Sequence, residues 1–262
     1  LFLVPFPALI DANGDYLIKN YTISTSPSIQ ALDLTQRQKL ALQRTRNNTE
    51  TSVLVVGNPD MPEVWNPATS QSEQLLDLPG AKREAEAVAN FLETTALLQG
   101  QATEKTVKQR IGDASIIHLA THGLLEYGNP QDSGISDVPG AIALTPGQGE
   151  DGLLTSSEIL DELELTADLV VLSACDTGLG DITGDGVIGL SRSLMAKGTP
   201  SGIVSLLSVP DAPTAELMTE FYRQLDQGRD KAQALRYAML TTIETNPRPR
   251  DWAAFTLIGQ AE

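Results

Sequence analysis

Two stretches decide the fold, SIIHLATHG at residues 115–123 and ADLVVLSACDTG at residues 167–178. Each is an apolar, strand-like run that ends in a reactive side chain and then a glycine. The first run delivers His122, and the second delivers Cys175, the only cysteine in the chain. In an open parallel sheet, chemistry collects where the carboxyl ends of strands open into loops. Two such ends side by side would hold an imidazole next to a thiol, the minimum for a cysteine nucleophile and its base.

The composition indicates a large α/β domain and argues against several other classes of protein. The chain has 262 residues, 41% of them hydrophobic, which is enough for a sizeable core. Its formal net charge of −16 argues against nucleic acid, whose binders usually carry a basic face. No run of about 18 apolar residues exists, so no membrane span is predicted. A single cysteine makes no internal disulfide, which is consistent with a cytoplasmic location.

Short β-branched runs alternate with amphipathic stretches along most of the chain. Strands are predicted at residues 53–56, 96–98, 116–120, 141–144, 169–172, 203–207 and 254–258. Helices are predicted at residues 29–42, 80–93, 103–111, 155–160, 187–197, 214–227 and 231–244. This alternation indicates an α/β fold with a mostly parallel β-sheet and helices on both faces.

Other parts of the chain are predicted to be less regular. Residues 16–18 and 21–23 are interpreted as short strands across a turn. Residues 60–77 are rich in Pro, Asn, Ser and Gln and are predicted to form a loop. Residues 177–186 contain four glycines and are also predicted to form a loop, which would lie over the site.

The two reactive residues also have inert interpretations. A lone cysteine is most often a small buried hydrophobe. Cys175, however, follows a buried strand where it runs out into a glycine-rich loop, and a thiolate there needs a cationic neighbour such as His122. The other histidine, His118, lies inside its strand and is predicted to be a core or hydrogen-bonding residue. Zinc binding by the two histidines is disfavoured, because ligands four residues apart need a helix and no HExxH glutamate is present.

Gly123 and the loop after Cys175 complete the predicted site. A backbone N–H without a neighbouring Cβ can approach a reacting carbonyl oxygen, so the amides of Gly123 and Cys175 would form an oxyanion hole. Residues 181–186 resemble the front half of a calcium loop, but Arg192 stands at the twelfth position, where such a loop needs Glu. No metal and no cofactor are therefore predicted.

Longer motifs keep a defined order along nearly the whole chain. They are VPFPALID at residues 4–11, THG at 121–123, VVLSACDTG at 170–178, GDGVIGLSRSLMAKG at 184–198, IVSLLSV at 203–209, TAELMTEFYRQLDQG at 214–228 and WAAFTLIG at 252–259. In order and spacing these motifs resemble the CHAT domain. That family is a caspase-like, separase-related cysteine peptidase domain, often fused behind tetratricopeptide repeats.

The resemblance implies a caspase-like sheet whose last strand is antiparallel. It also implies that Cys175 is the nucleophile and His122 the base or proton carrier of a cysteine endopeptidase; no third residue is evident, and this type requires none. A protein or peptide would be the substrate, and an upstream tetratricopeptide-type region or a regulatory partner protein would control the activity. The chain would then be cut from a longer protein. Residues 1–52 would be an N-terminal extension packing on the core, and residues 53–262 the catalytic core.

The resemblance also implies a set of substrate-binding residues. Metacaspases and separases cut after basic residues, using acids in the first pocket. Glu84 is the nearest match to one such acid here, and Asp176 beside the nucleophile is another candidate. Ser173 occupies the position two before the nucleophile, which is acidic in metacaspases, and this departure weakens the case for basic specificity.

Two alternatives stay open at this point. Glu84 has a second interpretation as a solvated carboxylate on an exposed helix face. The chain as a whole has a second interpretation as a catalytically silent scaffold for protein–protein interaction.

Overall fold

The computed structural model describes residues 4–45, 52–66, 69–124, 140–175, 184–206 and 211–262. The strands are β1 (Val53–Gly57), β2 (Glu63–Asn66), β3 (Gln71–Gln74), β4 (Leu97–Leu98), β5 (Ile116–Leu124), β6 (Ala141–Ala143), β7 (Leu153–Thr155), β8 (Leu169–Cys175), β9 (Ser201–Ser205) and β10 (Phe255–Gly259). The α-helices are α1 (Leu17–Asn20), α2 (Ile29–Thr45), α3 (Pro79–Phe91), α4 (Glu104–Ile111), α5 (Ser156–Glu162), α6 (Gly184–Ala196), α7 (Asp211–Asp226), α8 (Lys231–Thr245) and α9 (Pro249–Trp252).

Within the described residues, the central sheet has eight strands and the order β10-β9-β8-β5-β1-β4, with β6 paired to the end of β5 and β7 paired to β6. Strands β4, β1, β5, β8 and β9 run parallel to one another. Strand β10 is antiparallel to β9, as the family resemblance implies for the last strand. The two strands of the predicted site, β5 and β8, are therefore neighbours in the middle of the sheet.

Helices cover both faces of the sheet, because successive residues of a strand face opposite sides. Leu119 of β5 and Leu172 of β8 belong to a core that includes residues of α4, α5 and α6. Val55 of β1 and Val171 of β8 belong to a second core, formed with α3, α7 and α8. The predicted class, a mostly parallel sheet between two helical layers, is confirmed.

The predicted strand at residues 16–18 is wrong. Leu17 and Ile18 lie in α1, and the amide of Tyr21 donates to the Leu17 carbonyl, 2.9 Å away. The helical turn lets Ile18, 2% exposed, reach the second core. Tertiary burial thus overrides the β propensity of these side chains.

The predicted loop at residues 60–77 contains the antiparallel pair β2 and β3. Their residues are mostly polar, so no apolar alternation marks them as strands. Met61, Val64 and Leu75 are nevertheless buried in a small cluster with residues of β6 and β7. Packing that is distant in sequence therefore fixes this hairpin.

Most of the predicted glycine-rich loop at residues 177–186 lies outside the described residues, and so does Asp176. Helix α6 begins at Gly184, three residues before the start predicted at residue 187. No helix in the described part of the chain is both long and apolar enough to cross a membrane.

Candidate active site

Strands β5 and β8 bring the two predicted catalytic residues to neighbouring positions. The parallel register pairs Ala120 with Ser173 and His122 with Cys175. Adjacent strands of a sheet lie about 4.8 Å apart. Cys175 is the last residue of β8, and the structure describes its backbone. Both residues thus sit at the carboxyl edge of the sheet, where open α/β sheets carry their sites.

A backbone carbonyl holds the His122 imidazole. The residue is 3% exposed, and its Nε2 atom lies 2.8 Å from the carbonyl oxygen of Leu76. A carbonyl oxygen only accepts, so Nε2 carries the proton of this hydrogen bond. In the neutral ring, Nδ1 is consequently the basic nitrogen. The sequence shows no third group, because a main-chain carbonyl leaves no trace in residue identity.

The segment that supplies this carbonyl is fastened to Asn58. The Asn58 side chain donates from Nδ2 to Asp77 Oδ1, 2.8 Å away, and its Oδ1 accepts from the Leu78 amide at 2.7 Å. Leu76 lies just before these two residues, and its own side chain is 75% exposed. Asn58 directly follows β1 in the chain.

The structure describes some of the other residues predicted around the nucleophile and not others. Gly123 follows His122 and pairs with Ile142 of β6. Ser173 is 2% exposed, and its Oγ has no hydrogen-bond partner within the described residues. The role of Gly123 in an oxyanion hole and the role of Ser173 in substrate binding stay predictions. Asp176 lies outside the described residues.

Glu84 is buried, so its interpretation as a solvated carboxylate is wrong. The residue is 3% exposed, and Oε1 lies 3.1 Å from Nε2 of His118. His118 precedes His122 by four residues on β5, which is roughly 13 Å of strand. A basic substrate side chain would have to reach that deep to meet Glu84, whose pocket role stays a prediction.

His118 and Tyr222 complete a buried polar network around Glu84. The Nδ1 atom of His118, which is 0% exposed, lies 3.1 Å from the hydroxyl of Tyr222 on α7. A carboxylate accepts the Nε2 proton, so a neutral His118 accepts the Tyr222 hydroxyl at Nδ1. Burial raises the pKa of Tyr222 well above its ordinary value, and the negative charge of Glu84 raises it further. The prediction of His118 as a hydrogen-bonding core residue is confirmed.

One group of carboxylates in the described part of the chain has the spacing of a metal site. Oxygen atoms of Glu104, Glu150 and Glu158 lie within 4.8 Å of one another. The Nζ atom of Lys108 lies 2.8, 3.4 and 2.7 Å from these three residues, respectively, and 3.1 Å from Glu162. The ammonium group occupies the centre where an ion would sit, so this cluster is a structural ion-pair network.

Comparison with curated proteins finds a relative much longer than this chain. Mouse tetratricopeptide repeat protein 28 is 28% identical over an alignment 297 positions long, which covers 99% of this chain and 12% of the relative. The human protein of the same name is 29% identical, over 99% of this chain and 11% of its own length. The chain thus spans about an eighth of the length of the curated relatives that it matches.

Solved structures show the same fold at low sequence identity. The yeast (Saccharomyces cerevisiae) separase in its complex with securin gives a TM-score of 0.57 at 14% identity, over 98% of this chain and 14% of that chain. The Arg-specific cysteine proteinase gingipain R gives 0.53 at 13% identity, over 86% of this chain and 51% of that chain. The family model described as the CHAT domain matches residues 1–260. The caspase-like fold and this match over almost the full length show that the chain belongs to the CHAT domain family.

Proposed function

We propose that this chain is a cysteine endopeptidase domain in which Cys175 is the nucleophile and His122 the general base and acid. The observation that carries the proposal is the parallel register that pairs His122 with Cys175 at the carboxyl ends of β5 and β8. Paired residues of neighbouring parallel strands face the same side of a sheet, so we expect the thiol to lie beside the imidazole. The Leu76 carbonyl on Nε2 leaves Nδ1 as the basic atom.

In the proposed reaction, the thiol of Cys175 gives its proton to His122, and the thiolate attacks the carbonyl carbon of the scissile peptide bond. The amides of Gly123 and Cys175 stabilise the oxyanion that forms. His122 passes the proton to the leaving amine, and the C–N bond breaks to leave a thioester on Cys175. Water then attacks the thioester while His122 takes one of its protons, which returns to the departing thiolate.

Protein substrates and a regulatory partner are part of the proposal. Family membership and relatives named for tetratricopeptide repeats support an upstream repeat region or partner protein that controls the peptidase. We also propose that residues 1–52 pack as an extension on a catalytic core of residues 53–262. A chain with one cysteine suits the reducing cytoplasm, the compartment we propose. Glu84, Ser173 and Asp176 remain the proposed substrate-binding residues.

The first test uses the reactivity of the single thiol. We expect folded Cys175 to react with iodoacetamide about tenfold faster at pH 7 than the same cysteine in the urea-unfolded chain, because an ordinary thiol is only a few per cent thiolate there. His122→Ala should remove this acceleration. A folded thiol that reacts no faster than the unfolded one would contradict the activated dyad.

Cleavage is tested with a diverse peptide library, beside Cys175→Ala as the matched control. We expect cleavage by the wild-type chain and none by the variant, and the residue before the cut reports whether the pocket is basic-specific. A chain that is silent here is tested again within its full-length protein. Silence in that setting as well would overturn the endopeptidase proposal.

The second candidate function is a protein-interaction scaffold. It is favoured by the curated relatives, whose names refer to repeats and to no peptidase. A scaffold predicts that Cys175→Ala, introduced into the full-length protein, leaves every cellular effect of that protein unchanged. A peptidase predicts loss of those effects together with loss of cleavage.

A further inference from the structure

We propose that Asn58 is a positioning residue that sets the tautomer and orientation of His122 through the Leu76 carbonyl. The inference rests on the proposed function for what the aligned imidazole does, but the alignment itself is measurable without any activity. Asn58 directly follows β1 and precedes His122 by 64 positions in the sequence.

Asn58 has a partner for each of its polar groups, although it is 2% exposed. Its amide donates to the carbonyl of Ala120 at 3.0 Å, and its carbonyl accepts from the amide of Gln99 at 3.0 Å. Its side chain donates to Asp77 and accepts from the Leu78 amide, at 2.8 and 2.7 Å. A buried asparagine bonded in this way is a rigid junction, because each of these hydrogen bonds would be costly to leave unmade.

The backbone at Asn58 explains why an asparagine stands there. Its φ of +44° is in the left-handed region, which glycine and asparagine tolerate best. Glycine would supply the conformation without the side-chain donor and acceptor. The preceding residue, Gly57, packs so closely on α3 that an added Cβ would lie 2.3 Å from the Cβ of Ala85. The end of β1 is thus fixed against α3, and the amide of Asn58 projects from a fixed point.

The hydrogen bonds of Asn58 are part of a closed circuit of contacts that includes His122. One arm is the bond from Asn58 to Ala120, two residues before His122 on β5. The other arm runs from the Asn58 side chain to Asp77, whose amide nitrogen belongs to the same peptide unit as the Leu76 carbonyl. That carbonyl accepts from His122 Nε2. Leu76 contributes little packing, since its side chain is 75% exposed. On one side the segment is held by buried Leu75, and on the other by Asn58.

Loss of the hydrogen bonds from the Asn58 side chain to Asp77 and Leu78 should let the Leu76 carbonyl move. The proton on His122 Nε2 would then lose its fixed acceptor. The neutral imidazole would then populate both tautomers, and the basic nitrogen would no longer have one position. Misplacement of a catalytic group by about 1 Å costs up to roughly 100-fold in rate. Asn58 therefore acts on the site without touching a substrate.

A swap of the two side chains provides the test. Asn58→Asp sets two carboxylates against each other, whereas Asp77→Asn keeps an amide oxygen for Asn58 to donate to. The double variant Asn58→Asp with Asp77→Asn restores both bonds, because the new carboxylate accepts from the new amide and from the Leu78 backbone. Tolerance of a positive φ by both Asn and Asp keeps the backbone comparable.

The readout is the ¹⁵N spectrum of the two histidines at a pH where the rings are neutral, with His122 identified from its absence in His122→Gln. We expect the Nε2–H form in the wild type, a mixture of tautomers in Asn58→Asp, and the Nε2–H form again in the single Asp77→Asn and the double variant. The alkylation rate of Cys175 should fall about tenfold in Asn58→Asp and return to within about twofold in the double variant. Thermal unfolding reports the folding of each variant.

An unchanged tautomer in folded Asn58→Asp, or a double variant that stays as impaired as Asn58→Asp, would overturn the inference. A wild type without the Nε2–H form would do so too. Failure of the proposed function would give a different result. The tautomer of His122 would still change in Asn58→Asp and return in the double variant, but the chain would cleave nothing, even at full length. That result would support the positioning role and reject the peptidase.

Discussion

At the residue scale, the two histidines of β5 receive different roles from their surroundings. His118 is enclosed, and both of its ring nitrogens lie within hydrogen-bond distance of side chains on α3 and α7. His122 stands at the end of the same strand, held by a main-chain carbonyl. The protonation of each ring is therefore set by a different kind of partner. His122 is the one suited to proton transfer, because it lies at the carboxyl edge of the sheet.

Removing the Tyr222 hydroxyl tests the buried network. Tyr222→Phe leaves His118 Nδ1 without its donor, so we expect a loss of about 1–3 kcal/mol in the free energy of unfolding at pH 7. The raised pKa of folded Tyr222 stabilises the fold below the unfolded pKa of about 10, and this contribution is lost as pH rises above it. The difference in the free energy of unfolding between wild type and Tyr222→Phe should therefore become smaller between about pH 9 and 11. Urea unfolding across this range measures it.

The matched control for this prediction is Tyr21→Phe, since the side chain of Tyr21 is 60% exposed. It should change the free energy of unfolding by less than about 0.5 kcal/mol at every pH. A Tyr222→Phe variant that behaves like this control would rule out a contribution of the network to stability.

How far single residues are predictable depends on what holds them. His122 and Cys175 could be found because each ends an apolar run, which places it at the carboxyl edge of a parallel sheet. The burial of Glu84 had a signal as well, since it lies three residues after Ala81 and four before Val88, on the apolar face of α3. The Leu76 carbonyl and the Asn58 junction could not be found, because both arise from contacts between segments far apart in sequence.

At the element scale, helix ends followed local rules and the polar hairpin did not. Thr103 caps α4 by accepting from the Thr106 amide, and Thr155 forms a capping box with Glu158. The β2–β3 hairpin was missed because its stability comes from burial of Val64 and Leu75 beside β6 and β7. Helix caps can be predicted from residue types close together in sequence, whereas packing between distant segments cannot.

The Lys108 network joins α4 to α5. Burial of Glu104 raises its carboxyl pKa, an effect that its hydrogen bond from Lys108 opposes. Burial lowers the pKa of Lys108, but hydrogen bonds to Glu104, Glu158 and Glu162 outweigh it and raise the pKa overall. The ammonium is thus required to hold these carboxylates close together.

Lys108→Met keeps the apolar stem and removes the charge. Breaking a buried ion pair by removal of one partner costs about 3–5 kcal/mol, and we expect a loss of that size at pH 8. Carboxylates left without the cation should have raised pKa values, which stabilise the fold at low pH and lose this effect as pH rises. The loss should therefore be smaller at pH 5, as measured by urea unfolding at both values.

The control is Lys197→Met, which removes the partner of Glu164, a carboxylate whose side chain is 88% exposed. A surface pair of this kind contributes about 0–1 kcal/mol, with little pH dependence. Equal losses in the two variants would contradict a special role of the Lys108 network.

At the scale of the whole molecule, residues 4–45 contact the sheet that carries the site. Thr25 forms a parallel bridge with Ile258, donating from its amide to Leu257 and accepting from Gly259 at 2.8 and 3.0 Å. This contact covers part of the outer edge of β10, an edge that would otherwise offer unpaired backbone groups. Nearby, the Tyr16 ring stacks edge-on against Trp252, with centroids 5.0 Å apart. The overall α/β class was predictable from alternation, but this docking was not, because it depends on single contacts.

Ile18→Ala tests whether this segment folds as one unit with the sheet. Ile18 is 2% exposed and belongs to the same core as Val171 of β8, so the cavity should cost about 2–5 kcal/mol. If the segment and the sheet unfold together, the free energy of opening measured by hydrogen exchange should fall by the same amount at the β8 amides and at the Thr25 amide. Ile29→Ala, at a residue 85% exposed on α2, serves as the control and should leave both rates almost unchanged. If Ile18→Ala accelerated exchange at Thr25 and left β8 protected, the extension would unfold separately. Residues 53–262 would then hold His122 and Cys175 in register without it.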